Sequence, residues 1–354
     1  MQATPENLGS LRGLLLNSLS SNNALRKEAE QVIVKSEGLP GFTVCLLQLI
    51  SALSTPAASV EDASIRQSAA ALFKNVTKRR WKPSEEEDAS SAIAEADRET
   101  IKTHLVELLC SSPTDVQKQL AEAVAVVAKH DFPERWTGLL PQMVAKLGLN
   151  DLSVTKGVML TVNSIMKRFR YAYKTDALMA ELIFCLKEFQ APLLLAVQSN
   201  AAAIEALAAN RDGLAIAIET HTLICRIYFS LNWQDIPEFF EDNIGPWMEQ
   251  FAKTLQYQNP LLVDAGETSE AGPIERLQAA VVENISLYAT KYEEEFNPYL
   301  ATFTQLVWQR LMAVGPEAKF DILATSLIKV HPSPPPPANK NASLSPSLTA
   351  PPPK

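Results

Sequence analysis

Glycine is scarce in this chain, with 12 residues among 354. Enzymes with an α/β fold need glycine in tight turns and phosphate-cradling loops, so the shortage counts against that class. No Gly-x-x-x-x-Gly-Lys loop, Gly-x-Ser-x-Gly elbow or His-Glu-x-x-His helix occurs. His104, His130, His221 and His331 stand far apart, and none has a partner at metal-ligand spacing. Carboxylates are plentiful, but no pair sits in an apolar setting that would retune it for acid–base work. The expectation is a protein without catalysis, cofactor or metal.

Cysteine is also sparse. Cys45, Cys110, Cys185 and Cys225 form no Cys-x-x-Cys pair, and each lies among apolar residues. They read as reduced core thiols. The first residues lack the basic stretch and apolar core of a signal peptide. No uncharged apolar run approaches the roughly 20 residues of a membrane span. The sequons at Asn75, Asn284 and Asn341 therefore carry no expectation of glycosylation. A net charge of −8 disfavours general binding to nucleic acid or anionic membranes and suits basic protein partners.

What the chain does have is a recurring apolar stripe. Its members are Leu25, Ala29, Val32, Ile33; then Ile65, Ala69, Leu72, Phe73, Val76; then Val116, Leu120, Ala123, Val124, Val127; then Val154, Val158, Val162, Ile165; and later Leu277, Val281, Ile285, Tyr288. The spacing puts each set on one face of an α-helix. A second amphipathic stretch precedes each such helix, over 8–20, 42–53, 97–109, 136–147, 178–195, 239–255 and 296–312. Helix starts are expected at Ser112-Pro113-Thr114-Asp115, Phe132-Pro133-Glu134 and Ile236-Pro237-Glu238. Irregular connections are expected around 201–212 and 264–272. Strand patterns bounded by hairpin turns are absent, so the fold class is all-α. Helix pairs recurring every roughly 40 to 60 residues match solenoids of HEAT or armadillo hairpins, which must stack because one hairpin cannot bury its own apolar face.

After Val330 the composition turns proline- and serine-rich. Residues 331–354 read as a disordered tail whose PxxP-like runs fit SH3 or WW domains. The last helix, over 318–330, carries Phe320, Ile322, Leu323, Leu327 and Ile328, which read as core rather than cap. The chain is therefore expected to be a truncated solenoid with an exposed apolar strip and a tendency to self-associate.

Several segments carry a family resemblance. Ile65-Arg66-Gln67-Ser68-Ala69-Ala70-Ala71-Leu72-Phe73-Lys74-Asn75, closing at Arg80-Trp81, resembles the amino-terminal domain of the importin-β superfamily, and Arg26-Lys27-Glu28-Ala29-Glu30 fits its first hairpin. Asp131-Phe132-Pro133-Glu134-Arg135-Trp136, the stretch Tyr228-Phe229-Ser230-Leu231-Asn232-Trp233-Gln234-Asp235-Ile236-Pro237-Glu238-Phe239-Phe240-Glu241-Asp242-Asn243, and Tyr288-Ala289-Thr290-Lys291-Tyr292-Glu293-Glu294-Glu295-Phe296 resemble the exportin branch of that superfamily. The resemblance covers about residues 5–330. It implies a right-handed superhelical solenoid of roughly six to seven HEAT hairpins. Residues 1–110 would be the importin-β amino-terminal-like region and 111–330 the further exportin-like hairpins.

The resemblance also implies function. Such a receptor shuttles between nucleus and cytoplasm. It would bind the small GTPase Ran in its GTP form, importin-α as export cargo, and phenylalanine-glycine nucleoporins. By resemblance, Arg66, Gln67, Lys74, Asn75 and Lys78 are the candidates for Ran contact. A plain solvated helix face is the alternative reading. Lys78-Arg79-Arg80-Trp81-Lys82 mimics a nuclear localisation signal, but reads as a helix end answered by Glu85-Glu86-Glu87-Asp88. Trp233, Asp235, Glu238, Glu241 and Asp242 are the candidates for cargo contact. Against them stands inter-hairpin packing by Phe229, Trp233, Phe239 and Phe240. The competing class is a HEAT scaffold for a multi-protein complex, indifferent to nucleotide state.

Overall fold

The computed structural model describes residues 1–54, 59–83, 92–147, 151–263, 271–314 and 321–329. Among them are fifteen α-helices and no strand: α1 (Pro5–Ser18), α2 (Asn23–Ser36), α3 (Phe42–Ala52), α4 (Val60–Arg80), α5 (Glu95–Ser111), α6 (Thr114–Asp131), α7 (Leu139–Leu147), α8 (Leu152–Met166), α9 (Asp176–Ala206), α10 (Arg211–Asn232), α11 (Glu238–Asp242), α12 (Ile244–Gln256), α13 (Pro273–Lys291), α14 (Glu293–Val314) and α15 (Asp321–Lys329).

The helices pair as seven hairpins: α1/α2, α3/α4, α5/α6, α7/α8, α9/α10, α12/α13 and α14/α15. First helices pack on first helices, from α1 through α3, α5, α7, α9 and α12 to α14. Second helices pack on second helices, from α4 through α6, α8, α10 and α13 to α15, and this second layer is the closer packed. The result is the two-layered solenoid of stacked hairpins that the repeat implies.

Local chemistry starts the helices where it should. Asn22, Asp151, Thr175 and Asn210 accept backbone N–H bonds at the amino-terminal ends of α2, α8, α9 and α10. Ser59 and Asp62 close a capping box on α4. Gly41, at φ 84°, makes the sharp entry to α3, where a Cβ would collide with the Met1 carbonyl. The buried stripes lie between the layers. Val116, Leu120, Ala123, Val124 and Val127 on α6 and Leu277, Val281, Ile285 and Tyr288 on α13 are all buried. Gly157 lets α8 approach α6, because a Cβ there would press on Gln117 and Leu109.

Buried amides tie neighbouring elements together. Asn284 Nδ2 on α13 donates to the Cys225 carbonyl on α10 at 3.0 Å. Asn200 Nδ2 on α9 donates to the Ala217 carbonyl on α10 at 2.9 Å. Gln278 donates to the carbonyls of Thr254, Leu255 and Tyr257 where α12 ends. These bonds are directional, and so they set register where apolar burial alone would allow sliding. By length and composition α10 could cross a membrane, yet 78% of that stretch is buried inside the fold, which makes it a core helix.

Some expectations need correction. Leu25 and Val32 are 44% and 39% exposed, because α2 packs chiefly on α1 and is not covered by α4 as the later second helices are covered by their neighbours. Ser112 does not cap α6. Its hydroxyl donates back to the Leu108 carbonyl, and Pro113 occupies the cap position. Phe132-Pro133 starts no helix: the peptide bond is cis, and turns lead to α7 at Leu139. Residues 201–206 belong to α9, which leaves a link of only four residues, 207–210, before α10. The connection at 264–270, Phe320 and the segment 331–354 lie outside the described residues.

The four cysteines are buried, and burial pushes the thiols up, Cys110 to about 11 and Cys185 and Cys225 to about 12. His221 is buried on α10, where Asn200 Nδ2 donates to its Nδ1 at 3.2 Å and burial lowers its pKa from 6.5 to about 4. The unfolded chain therefore binds a proton between these values that the folded chain refuses. His130 is lowered too, by burial and then by Lys129 and Lys82. Stability should hold above pH 6.5 and fall by about 3 kcal/mol from His221 as pH drops toward 4. Denaturant midpoints measured from pH 7 to pH 4.5 check this, and His221→Gln should flatten the decline.

Candidate functional site

Two surfaces gather the candidate residues. One is the solvent face of the second layer at α4 and α6. Helix α4 buries Ile65, Ala69, Phe73 and Val76 and turns Gln67, Asn75 and Lys78 to solvent. Its last turn holds Lys78, Arg79 and Arg80, cations that favour the negative end of a helix dipole. Helix α6 presents Lys118, Glu122 and Lys129 at spacings of four and seven, one helical face. Lys74 Nζ sits 3.4 Å from Glu122, an ion pair that links α4 to α6 across the surface. In a chain of net charge −8 this face is basic, with Lys74, Lys78, Lys118 and Lys129 around a single exposed glutamate.

Arg66 is not part of that face. It is buried, with one guanidinium N–H donated to the Leu53 carbonyl at 2.8 Å, so it ties α4 to the end of α3. The basic run also meets an acid from the first hairpin. Arg79 reaches both Glu37 oxygens at 2.8 Å, and residues 85–88 lie outside the described residues. Glu37 is itself buried, so the pair clamps the first hairpin onto the second.

Beneath the basic end lies a buried polar knot. The Trp81 indole N–H donates to Asp131 at 3.2 Å, Lys102 Nζ meets the other Asp131 oxygen at 2.8 Å, and Arg135 approaches at 3.2 Å. Burial drives the Asp131 carboxyl up, but the Lys102 ammonium and the indole outweigh it and hold the group below its usual range. Arg98 lies over the Trp81 ring at 5.4 Å and donates to the Trp81 carbonyl. This knot fixes the end of α4 against α5 and α6.

The second surface is the connection between α10 and α12. Most aromatics of the Tyr228–Asn243 stretch turn inward. Tyr228 stacks on Trp247 at 3.9 Å and meets Phe240 at 4.9 Å, and Phe240 is fully buried. Inter-hairpin packing thus claims Phe229, Phe239 and Phe240. Trp233 is only partly covered, with Tyr171 edge-on at 4.3 Å, Phe229 at 5.3 Å and Lys291 Nζ at 5.9 Å from its ring. Tyr171 adopts φ 58° and is 74% exposed, a conformation that costs a bulky residue roughly 1–3 kcal/mol. Arg170 anchors that turn by donating to Ser230, Asn163 and the Arg226 carbonyl. Asp235 is exposed with Lys174 at 3.6 Å, and Glu238, Glu241 and Asp242 stand exposed on α11.

The structure therefore brings Gln67, Lys74, Asn75 and Lys78 together, removes Arg66, and groups the five acidic-loop candidates at one edge. It adds Lys118 and Lys129 to the first surface and Tyr171, Lys174 and Lys291 to the second. The α6 lysines were detectable by laying its stripe against that of α4. Tyr171 and Lys291 meet Trp233 only through the fold. Among the described residues no cluster of histidine, cysteine, aspartate and glutamate could hold a metal.

Comparison with known proteins follows this layout. A model of the importin-beta N-terminal domain matches residues 29–111, and the Cse1 model matches 165–331. Exportin-2 of Drosophila melanogaster is 37% identical and that of Homo sapiens 35% identical over 329 residues, 93% of this chain and 33% of each relative. A solved structure of the exportin Cse1 in its cargo-free, cytoplasmic state superimposes with a TM-score of 0.82 at 33% identity, covering 92% of this chain and 34% of that one. Importin beta superimposes at 0.59 with 18% identity, covering 91% of this chain and 33% of that one, a likeness of fold alone. Fold and matches together make this a helical-repeat solenoid similar to the karyopherins. Within that class it is a homologue of the exportin-2/Cse1 proteins, and it spans about a third of their length.

The buried knot yields a test. Lys102→Met strands the Asp131 carboxylate without its main counter-charge, which should cost about 3–5 kcal/mol. Chemical denaturation at pH 7 would measure it. Asp131→Asn in the same background should recover part of the loss, because a neutral amide needs no cation.

Proposed function

We propose that this chain is the Ran-contacting, amino-terminal part of a nuclear export receptor. The observation that carries the reading is the 35–37% identity to exportin-2 sustained across 93% of the chain. The solvent face of α4 and α6 is the surface for Ran, through Gln67, Lys74, Asn75, Lys78, Lys118 and Lys129. A basic strip on a rigid helical pair suits an acidic partner surface and accelerates encounter at low salt. Preference for the GTP form would arise because the γ-phosphate orders the switch loops that such a surface grips. The cargo, importin-α, would meet the edge around Trp233, Asp235, Glu238, Glu241 and Asp242. Phenylalanine-glycine nucleoporins would use grooves between first-layer helices, and the receptor would pass between nucleus and cytoplasm. The work is binding, without catalysis.

The test is binding of the purified chain to Ran loaded with a non-hydrolysable GTP analogue or with GDP, at physiological salt. The expected result is a clear preference for the GTP form. Lys74→Glu with Lys78→Glu should weaken that binding at least about tenfold, which corresponds to about 1.4 kcal/mol. Equal affinity for both nucleotide states would favour a nucleotide-indifferent HEAT scaffold and overturn the reading.

A further inference from the structure

The basic character of the second layer does not stop at α6. Lys78 lies in the last turn of α4 and Lys129 in the last turn of α6, and both are exposed. Lys167 follows α8 directly and is exposed too. On α10 every residue from Thr220 to Asn232 is buried except Arg226. The four helices pack side by side in the order α4, α6, α8, α10.

Contacts tie this row together at both ends. Burial lowers the His130 pKa, and the Lys129 and Lys82 charges lower it further, so ammonium groups from α6 and from just beyond α4 converge on one ring. Arg170 donates to Asn163 on α8 and to Ser230 and the Arg226 carbonyl on α10, which holds the end of α8 beside Arg226. Glu283 on α13 is exposed, lies within electrostatic reach of Arg170, and closes the row on that side.

Two simpler explanations fall short. Cations gather at helix carboxyl ends because the dipole favours them there. The dipole would act on both layers alike, yet the last turns of first-layer helices α1, α3, α5, α9 and α14 hold no basic residue. Arg226 also sits nearly two turns before its helix ends. Nor is the row consumed by ion pairs. On the same helices Lys74 pairs with Glu122 and Lys156 with Glu219. Among the described residues no such pair engages Lys78, Lys129, Lys167 or Arg226.

Spacing selects the ligand. Neighbouring helix axes lie about 8–10 Å apart, so the row spans about 30 Å. Three residues of extended chain cover about 10 Å. A chain crossing the helices with a carboxylate at every third residue therefore meets one cation per helix. A compact anion would reach only one or two of them. We propose that the row from Lys78 through Lys129 and Lys167 to Arg226 receives an extended acidic segment of a partner protein, laid across the carboxyl ends of the second-layer helices. The row shares Lys78 and Lys129 with the face proposed for Ran but does not rest on that proposal, because no GTPase enters its test.

The probe is a fluorescein-labelled peptide of Glu-Ser-Ser repeats, titrated with the full chain and read by anisotropy. Saturable binding that weakens as salt rises is expected. A peptide of the same composition with its glutamates contiguous should bind severalfold more weakly. Lys167→Glu with Arg226→Glu should weaken binding at least about tenfold, and Lys167→Gln with Arg226→Gln severalfold. Lys187→Glu with Lys253→Glu changes the net charge equally at exposed first-layer positions and should leave binding unaltered. Absence of binding would overturn the proposal. So would equal loss in the two charge-reversed pairs, which would mean net charge alone, or equal affinity for the spaced and contiguous peptides, which would mean no register. Tighter binding of a single-stranded RNA of matched charge would make the row a nucleic-acid strip and overturn it as well.

Discussion

Everything in this molecule follows from one constraint: no single hairpin here can bury its own apolar face. Each second-layer helix must therefore be roofed by the next, and the run from α4 to α15 is continuous packing. Helix α10 sits where this demand is greatest, with α8 and α13 on either side and α9 behind, and its last turns are buried almost all round. Apolar burial supplies most of the stabilisation but little direction. Direction comes from the buried amides. Asn284, Asn200 and Gln278 each donate to at least one carbonyl of a neighbouring element, so a slip of one residue would strand several buried polar groups.

Charge is distributed along the same architecture. Although the chain carries a net charge of −8, the exposed face of α4 and α6 is basic. Two buried acids are charge-paired: Glu37 with Arg79 across two hairpins, and Asp131 with Lys102 within one. Polar ties recur at the connection end further along. Gln234 donates to the Phe169 and Ala172 carbonyls, and Tyr292 to the Asn232 carbonyl. Connections in a solenoid of this kind are thus fastened to one another, not merely strung between helices.

The helical repeat was legible from periodicity, because apolar residues at i, i+4 and i+7 leave little room for another reading. The stripes on α6 and α13 are buried in full. Periodicity failed for Leu25 and Val32, since it reports a face and not whether anything covers it. It also failed at Ser112 and Phe132-Pro133, where local cap chemistry lost to back-bonding and to the turn before α7. The basic strip was half legible. Gln67, Lys74, Asn75 and Lys78 share a helix face that counting residues reveals. Arg66 neighbours them in sequence, but a 100° step per residue turns it under α4 toward Leu53. Two of the ring contacts of Trp233, Tyr171 and Lys291, come from residues about 60 positions away in either direction, beyond any local pattern.

The unequal spacing of the two layers has a mechanical meaning. Second-layer helices are held together by a closely packed core and by amide bonds, whereas first-layer helices meet more loosely. Bending such a stack concentrates shear in the looser layer and leaves the closer one nearly unstrained. The second layer is a stiff rail and the first a compliant one. A change of curvature would slide α3 past α5, or α7 past α9, while Lys74, Lys78, Lys118 and Lys129 kept their mutual distances. The superhelix can therefore flex as a spring without changing the geometry of its basic face.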